Sequence, residues 1–194
     1  MLLDERALIG LPDELRDAAA RARALVLDVD GVLTDGSLEY GSDGETSKTF
    51  HVKDGLGMRL CAREGIAVAV ISAKTSAPLR RRLEDLRVPH ALLGREDKSA
   101  ALDELTRALG ISEREVAFVG DDLLDLPVMR RVGLSAAPAD AHPLVLGEAL
   151  WVTRAPGGRG AVREVCDGLL AARGRLRASC EDLLATRSEK EKKW

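Results

Sequence analysis

Carboxylates follow two separate apolar runs of this sequence. Asp28 and Asp30 come directly after the run Leu25-Val26-Leu27, and Gly31 then allows a sharp turn. The second acidic group follows the run at 116–119 and comprises Asp121, Asp122 and Asp125. Carboxylates near a core cost free energy unless something compensates them, and a divalent cation with oxygen ligands is the simplest compensation. The pattern therefore predicts an enzyme site where two strand ends meet.

These residue types suit phosphoryl transfer through an aspartate, which needs a nucleophile, a proton donor, a metal and groups that hold the phosphoryl oxygens. Asp28 would attack phosphorus, and Asp30 would protonate the leaving alkoxide and then activate water. Mg²⁺ would be held by Asp28, Asp121 and the main-chain carbonyl of Asp30. Ser72 and Lys98 would contact the phosphoryl oxygens.

The remaining acids and some of the catalytic candidates also allow plainer interpretations. Asp122 and Asp125 are expected to orient waters and Lys98 rather than to bind the metal. Acidic residues at this spacing also cap helices, a lone strand-end pair can cap a turn, and a lysine that opens a helix is often only solvated. The convergence of several such residues favours the catalytic interpretation.

The elements that must position these residues alternate between strand and helix patterns. Strands are predicted at 24–29, 66–72, 90–93, 116–120 and 132–136, with a candidate edge strand at 149–153. Helices are predicted near 55–64, 76–87, 97–109, 123–131 and 160–172. The alternation predicts an α/β fold with a parallel sheet and helices on both faces. Ligands bind at the carboxyl ends of such strands, where the acidic residues and Ser72 fall.

The chain divides into a helical lead-in at 1–23, one domain at 24–173 and a charged tail at 174–194. The tail is expected to be helical in part, with a disordered end. Segment 37–52 interrupts the alternation and is typical of a β-hairpin. A lone hairpin is marginal in water, so its apolar residues should pack on something, another subunit being one candidate: Leu38, Tyr40, Phe50 and Val52.

Composition narrows the class of protein. The 194 residues fit one domain, and a net charge of −3 with only 3% aromatic residues argues against a nucleic-acid partner. No apolar stretch is long enough to span a membrane, and the charged N-terminus is not a signal peptide. The three cysteines lack a C-x-x-C spacing, which predicts reduced thiols and a cytoplasmic protein.

Four short motifs occur in the order found in the haloacid dehalogenase superfamily of phosphatases, which the chain resembles. They are Asp-Val-Asp-Gly-Val at 28–32, Ser72 at a strand end, Lys98 at a helix start and Gly-Asp-Asp-Leu-Leu-Asp at 120–125. The resemblance implies a Rossmann-like three-layer fold, catalysis with Mg²⁺ and the residue roles given above.

Longer strings at 28–36, 120–129 and 157–166 look like those of 3-deoxy-D-manno-octulosonate 8-phosphate phosphatases. This resemblance implies a phosphomonoesterase for a phosphorylated eight-carbon keto-sugar acid, used in bacterial lipopolysaccharide synthesis. It also implies a small core without a cap domain and a homotetramer in which the hairpins pack at the centre and neighbouring subunits enclose each active site.

The same resemblance suggests which side chains contact the sugar acid. They are His51, Val52, Lys53, Asp54, Gly55, Arg59, Arg82 and, from a neighbour, Arg159, with Lys74 beside the second motif. Arginines at the rim suit a substrate carboxylate. For Arg59, Arg82 and Lys74 a solvent-facing role stays open.

Two departures from the family pattern keep a second substrate class open. Ser72-Ala73-Lys74 stands where the family usually has Thr-Gly-Arg, and a lysine lacks the planar fork of an arginine. The approach to Lys98 resembles that of a related branch that hydrolyses nine-carbon keto-sugar acid 9-phosphates. An inactive oligomeric scaffold is a more distant alternative, disfavoured because the chain keeps the nucleophile and a metal ligand.

Overall fold

The computed structural model describes residues 10–191, with side chains as far as residue 185. The first nine residues of the predicted lead-in and the last three of the predicted tail lie outside this range, including the end that was expected to be disordered. None of the described helices is long and apolar enough to cross a membrane. The division into lead-in, domain and tail stays a prediction.

A parallel sheet of six strands forms the centre of the described chain, with strand order β5-β4-β1-β6-β7-β8. Every strand pair in it is parallel, which confirms the predicted α/β class. The strands, with the two of a separate hairpin, are β1 (Ala24–Leu27), β2 (Glu39–Gly41), β3 (Gly44–Ser47), β4 (Ala67–Ser72), β5 (His90–Leu93), β6 (Val116–Val119), β7 (Leu134–Ala137) and β8 (Trp151–Val152).

Helices connect the strands and cover the sheet. They are α1 (Arg16–Arg21), α2 (Val52–Arg63), α3 (Ala77–Leu86), α4 (Lys98–Leu109), α5 (Leu126–Met129), α6 (Pro143–Glu148), α7 (Ala161–Ala172) and α8 (Leu176–Glu191). Short 3-10 turns occupy Asp13–Leu15, Glu113–Glu115 and Leu123–Asp125. The predicted helix at 123–131 is thus a 3-10 turn followed by α5, and most of the charged tail is α8.

Several elements differ from the sequence prediction: β1 ends two residues earlier, α2 begins three residues earlier and β8 has only two residues. Two further differences have local reasons. Strand β7 begins two residues later than predicted because the chain bends at Gly133, whose N–H donates to the Glu113 carbonyl at 3.0 Å instead of to a strand. Helix α6 was not predicted, since its six residues are too few for a periodic pattern. Pro143 opens it and His142 caps it, with Nδ1 accepting the Leu144 N–H at 3.2 Å.

The core lies in two apolar layers, one on each face of the sheet. Leu25 and Leu27 of β1 pack in one layer, where α2 and α7 contribute Met58 and Val162. Val26 of the same strand points into the other layer, which contains Leu102 of α4. Alternate residues of a strand face opposite sides, so all four residues of β1 are buried. This sandwich fixes the carboxyl end of β1, from which the acidic loop emerges.

The hairpin β2–β3 stands apart from the sheet. Its strands pair antiparallel with each other, and the side chains of Leu38 and Tyr40 are exposed. Phe50, just beyond the hairpin, packs against the core, whereas Val52 opens α2 and is 75% exposed. Of the four apolar residues expected to pack, Phe50 alone does so against the described part of the chain.

Candidate active site

Three strand ends meet at one cavity of about 190 Å³. Asp28 follows β1, Ser72 ends β4 and Asp121 follows β6, which are adjacent strands of the sheet. The Asp28 N–H donates to the Val119 carbonyl at 3.0 Å, which continues the pairing of β1 with β6 beyond the strand ends. The cavity is lined by Asp28, Asp30, Ser72, Ala73, Lys74, Lys98, Asp121, Asp122, Leu124 and Asp125.

A buried lysine lies between two of these carboxylates. Lys98 Nζ is 2.8 Å from Asp28 Oδ1 and 2.6 Å from Asp125 Oδ1. Burial alone would lower the pKa of Lys98, but the charges of Asp28 and Asp125 outweigh burial and raise it. Asp97 caps α4 by accepting the Ala100 N–H at 3.0 Å, which holds Lys98 at the first position of the helix. Lys98 is therefore a permanent cation that can hold phosphoryl oxygens.

Asp125 shapes the loop that carries Asp121. Its Oδ2 accepts the N–H groups of Asp121 at 3.0 Å and Asp122 at 3.2 Å, while Oδ1 binds Lys98. Both oxygens are thus engaged by the protein, as expected of a residue that orients its neighbours. Asp122 is exposed and accepts the Leu123 N–H at 2.8 Å, so it caps the 3-10 turn.

The acidic cluster fits a divalent cation. Asp28, Asp121 and Asp125 each place a carboxylate oxygen within 4.8 Å of the others, and the buried Asp121 Oδ1 has no hydrogen-bond partner among the described residues. Burial, with the charges of Asp28 and Asp125, raises the pKa of Asp121 to about 8. Burial, with the charge of Asp125, raises the pKa of Asp28 to about 6 despite Lys98. One lysine does not balance three carboxylates, and a hard cation would.

Gly31 lets the acidic loop approach Asp121. Its φ is +93°, and a Cβ at this position would lie 2.0 Å from Asp121 Oδ2. The turn is closed by the Val29 carbonyl, which accepts the N–H groups of Leu33 at 2.9 Å and Thr34 at 3.0 Å. Only glycine allows both this backbone conformation and this contact.

Ser72 and Lys74 occupy the opposite wall of the cavity. The Ser72 side chain is buried, and its Oγ accepts the Lys74 N–H at 3.2 Å. The Ser72 carbonyl accepts the Arg95 N–H at 2.9 Å, which ties this wall to the segment before Lys98. Lys74 is exposed at the rim, so it is the cavity's outermost cation.

One residue of the site was missed by the sequence analysis. Lys48 follows β3, and its side chain, fully shielded from solvent, forms ion pairs with Asp30 Oδ1 and, at 3.1 Å, with Glu45 Oε2. The hydrogen bonds and charges of both carboxylates outweigh burial and raise the pKa of Lys48. A single lysine in a polar hairpin matches no sequence motif, so its pairing with Asp30 is seen only in the tertiary structure.

Most of the predicted substrate-binding residues lie outside this cavity within a single chain. His51, Lys53 and Arg159 line a separate hollow of about 310 Å³. Arg159 lies there 3.3 Å from Asp35 Oδ2. Val52 and Arg59 are exposed on α2. None of these side chains lines the cavity that contains Asp28.

Arg82, Asp54 and Gly55 have contacts that explain them structurally. The Arg82 guanidinium lies over the Phe50 ring at 5.8 Å from its centroid. A Cβ on Gly55 would lie 2.4 Å from Arg82 Nη2, so this glycine makes room for the arginine. Asp54 Oδ1 accepts the Arg163 N–H at 2.8 Å, which joins α2 to α7.

Comparison with known proteins places the chain among hydrolases. Residues 94–163 match the family model of haloacid dehalogenase-like hydrolases. The chain is 48% identical over 160 residues to 3-deoxy-D-manno-octulosonate 8-phosphate phosphatase KdsC of Yersinia pestis, which covers 82% of this chain and 86% of that protein. The Escherichia coli K12 protein of the same name is 49% identical over 79% of this chain and 82% of its own length.

Solved structures agree in fold. The crystal structure of the Yersinia pestis phosphatase superposes with a TM-score of 0.84 at 46% identity, covering 86% of this chain and 90% of that one. The phosphatase of Moraxella catarrhalis, crystallised with magnesium, phosphate and KDO, gives a TM-score of 0.86 at 35% identity over 89% and 99% of the two chains.

Proposed function

Because the chain belongs to the 3-deoxy-D-manno-octulosonate 8-phosphate phosphatase family of haloacid dehalogenase-like hydrolases, we propose that it removes phosphate from that eight-carbon keto-sugar acid 8-phosphate. The observation that carries the proposal is the joint presence of Asp28, Asp30, Ser72, Lys98 and Asp121 around one cavity. The relatives are named as phosphatases of this eight-carbon substrate, so the nine-carbon 9-phosphate alternative is not favoured.

The first half of the reaction transfers the phosphoryl group to Asp28. An Asp28 carboxylate oxygen forms a bond to phosphorus while the bond from phosphorus to the sugar oxygen breaks. The carboxyl of Asp30 gives its proton to that departing oxygen, so the sugar leaves as an alcohol. Lys98, already 2.8 Å from Asp28, is placed to bind a phosphoryl oxygen as charge develops.

The second half of the reaction releases inorganic phosphate. The Asp30 carboxylate takes a proton from a water molecule, whose oxygen bonds to phosphorus while the bond to Asp28 breaks. Asp28 is again a carboxylate and Asp30 is again protonated, so both residues are ready for another turnover. The same residue thus serves as acid and then as base.

Magnesium fits the donor set described above. Asp28 and Asp121 would hold it with the main-chain carbonyl of Asp30, and when bound it supplies positive charge to the phosphoryl oxygens. Asp125 keeps Asp121 in place through its backbone N–H. Ser72, buried in the opposite wall, offers a hydroxyl to the same oxygens.

We further propose that a homotetramer completes the sugar site. The exposed Leu38 and Tyr40 of the hairpin support an interface, and a neighbouring chain would bring Arg82, Arg159 or the 51–55 segment to the rim. Among the described residues that line the cavity, Lys74 is the exposed cation that could contact the sugar. The cytoplasmic location and the absence of nucleic-acid and membrane partners stay predictions.

A parallel assay of phosphate release tests the substrate. The eight-carbon 8-phosphate and nine-carbon 9-phosphates are compared by kcat/KM with Mg²⁺, because discrimination is expressed in that ratio. We expect a preference of about a hundredfold for the eight-carbon ester, the scale that a few pocket contacts supply. The reverse preference would assign the chain to the nine-carbon branch, and no Mg²⁺-dependent release from any ester would support the inactive scaffold.

A further inference from the structure

Lys48 is the one cation that contacts the predicted acid-base residue in the part of the chain that the structure describes. Its Nζ pairs with Asp30 Oδ1 and Glu45 Oε2, and none of the Lys48 side chain is exposed to solvent. A shielded ammonium is costly unless carboxylates pair with it. Lys48 is therefore held in place by the two carboxylates and holds them in return.

The position of Lys48 separates it from the cations that bind phosphate. Lys48 does not line the catalytic cavity, whereas Lys98 and Lys74 do. It reaches Asp30 from the hairpin side, directly after β3. Asp30 does line the cavity and keeps 22% of its side chain exposed. Lys48 thus contacts the Asp30 carboxylate from outside the cavity, while Asp30 itself faces the cavity where the substrate would bind.

We propose that Lys48 is a positioning residue that orients the Asp30 carboxyl for proton transfer to the leaving sugar oxygen. The proposal rests on the phosphatase function proposed above and adds a residue to it. The ammonium fixes Oδ1, so the other oxygen, Oδ2, exchanges the proton with the alkoxide and later with water. Displacing a catalytic group by about 1 Å costs up to about a hundredfold in rate, which is the scale of the effect that Lys48 controls.

Glu45 completes the arrangement. Its Oε2 binds Lys48, while its Oε1 is buried without a partner among the described residues. A buried carboxylate oxygen without a hydrogen-bond partner lowers the stability of the fold. The contact that Glu45 makes in return is its ion pair with Lys48. Glu45 therefore keeps Lys48 directed at Asp30 and couples the hairpin to the acidic loop after β1.

The test compares two esters that differ in their need for a proton. A sugar alkoxide must be protonated as it leaves, whereas 4-nitrophenolate leaves without a proton. We expect Lys48→Met to lower kcat/KM for the sugar phosphate about 10- to 100-fold, part of the range that acid-base catalysis supplies. The loss for 4-nitrophenyl phosphate should be within about threefold, because the first irreversible step then needs no acid. Lys48→Arg should recover much of the loss.

Matched measurements separate positioning from a general structural role. Thr46→Val alters the same hairpin without touching Asp30, because Thr46 Oγ1 donates to the Glu39 carbonyl at 3.1 Å. It should leave the rates on both esters unchanged. The Mg²⁺ concentration for half-maximal rate should stay the same in Lys48→Met. If Lys48→Met does not fold, Glu45→Gln should show the same selective loss at a smaller, several-fold scale.

Equal losses on the two esters, or no loss on either, would overturn the positioning role. The sugar ester in this test is the one that the wild-type protein hydrolyses, so a wrong substrate assignment does not affect the comparison. Absence of any wild-type turnover would instead overturn the proposed phosphatase function, and the positioning role with it.

Discussion

Removing one negative charge from the acidic cluster should stabilise the protein when no metal is bound. Asp121 has a pKa of about 8, against 3.8 for an ordinary aspartate, chiefly because of burial and then the charges of Asp28 and Asp125. The folded state therefore holds its proton more tightly than the unfolded state does. Stability falls as pH rises from about 4 to about 8, and Asp121→Asn removes this loss.

The size of the effect follows from the pKa. Between pH 6 and pH 8 the unfolded carboxyl is already ionised, while the folded Asp121 gives up its proton. Two pH units correspond to at most about 2.7 kcal/mol, and screening of a partly exposed carboxylate reduces this to about 1 kcal/mol. For a chain of this length that free energy is worth about 3 °C in Tm.

Thermal unfolding in EDTA measures the effect directly. The advantage of Asp121→Asn over wild type in Tm should be about 3 °C larger at pH 8 than at pH 6. Asp122→Asn is the matched control, because Asp122 is exposed and an asparagine caps a helix as well as an aspartate does. Its difference from wild type should change much less with pH, because the charge of Asp122 is the smallest of the effects that raise the pKa of Asp121. Mg²⁺ should raise the Tm of wild type and much less that of Asp121→Asn.

Two results would refute this reasoning. If Asp121→Asn were less stable than wild type at pH 8 in EDTA, the carboxylate would be making favourable contacts that the geometry does not contain. If its advantage were the same at pH 6 and pH 8, the proton affinity of Asp121 would not differ between the folded and unfolded states.

Three further predictions concern the same cavity. Lys98→Met should lower the free energy of unfolding in EDTA by about 3 kcal/mol, because it leaves Asp28 and Asp125 buried without their cation. Urea denaturation measures this loss, and Lys53→Met at an exposed position should change the free energy of unfolding little. Gly31→Ala should cost about 2 kcal/mol for its left-handed backbone and should weaken Mg²⁺ binding as well. Gly44→Ala is the control, because Gly44 has a φ of +108° but no atom near its Cβ position, so it should lose only the stability that the backbone strain costs. Lys74→Ala should raise KM for the sugar ester several-fold with little change in kcat; an unchanged KM would place the substrate elsewhere.

The sheet and the acidic site could be predicted because their signals are local. An apolar run that ends in Asp28 and Asp30 indicates both a buried strand and an acidic loop, and the run before Asp121 does the same. In a parallel sheet the carboxyl ends of adjacent strands meet at one edge. Helix α6 and the start of β7 escaped prediction because they depend on one proline and one backbone contact.

Lys48 and the rim residues needed the tertiary structure. Lys48 and Asp30 are 18 residues apart and are brought together by the packing of the hairpin. No periodic pattern in the sequence predicts this pair. His51, Lys53 and Arg159 do come together, but around a hollow apart from Asp28. Their proposed role depends on how a second copy of this chain docks, and no local sequence pattern specifies that geometry.

Covalent trapping at Asp28 tests the central claim most directly. The protein is mixed with the eight-carbon 8-phosphate and Mg²⁺, quenched with acid and treated with borohydride, which reduces an aspartyl phosphate to homoserine. Peptide mass spectrometry should find homoserine at position 28 only in the sample that received substrate, and Asp28→Asn should show neither homoserine nor phosphate release. Phosphate release that persists in Asp28→Asn, or homoserine at another aspartate, would contradict the assignment of Asp28 as the nucleophile.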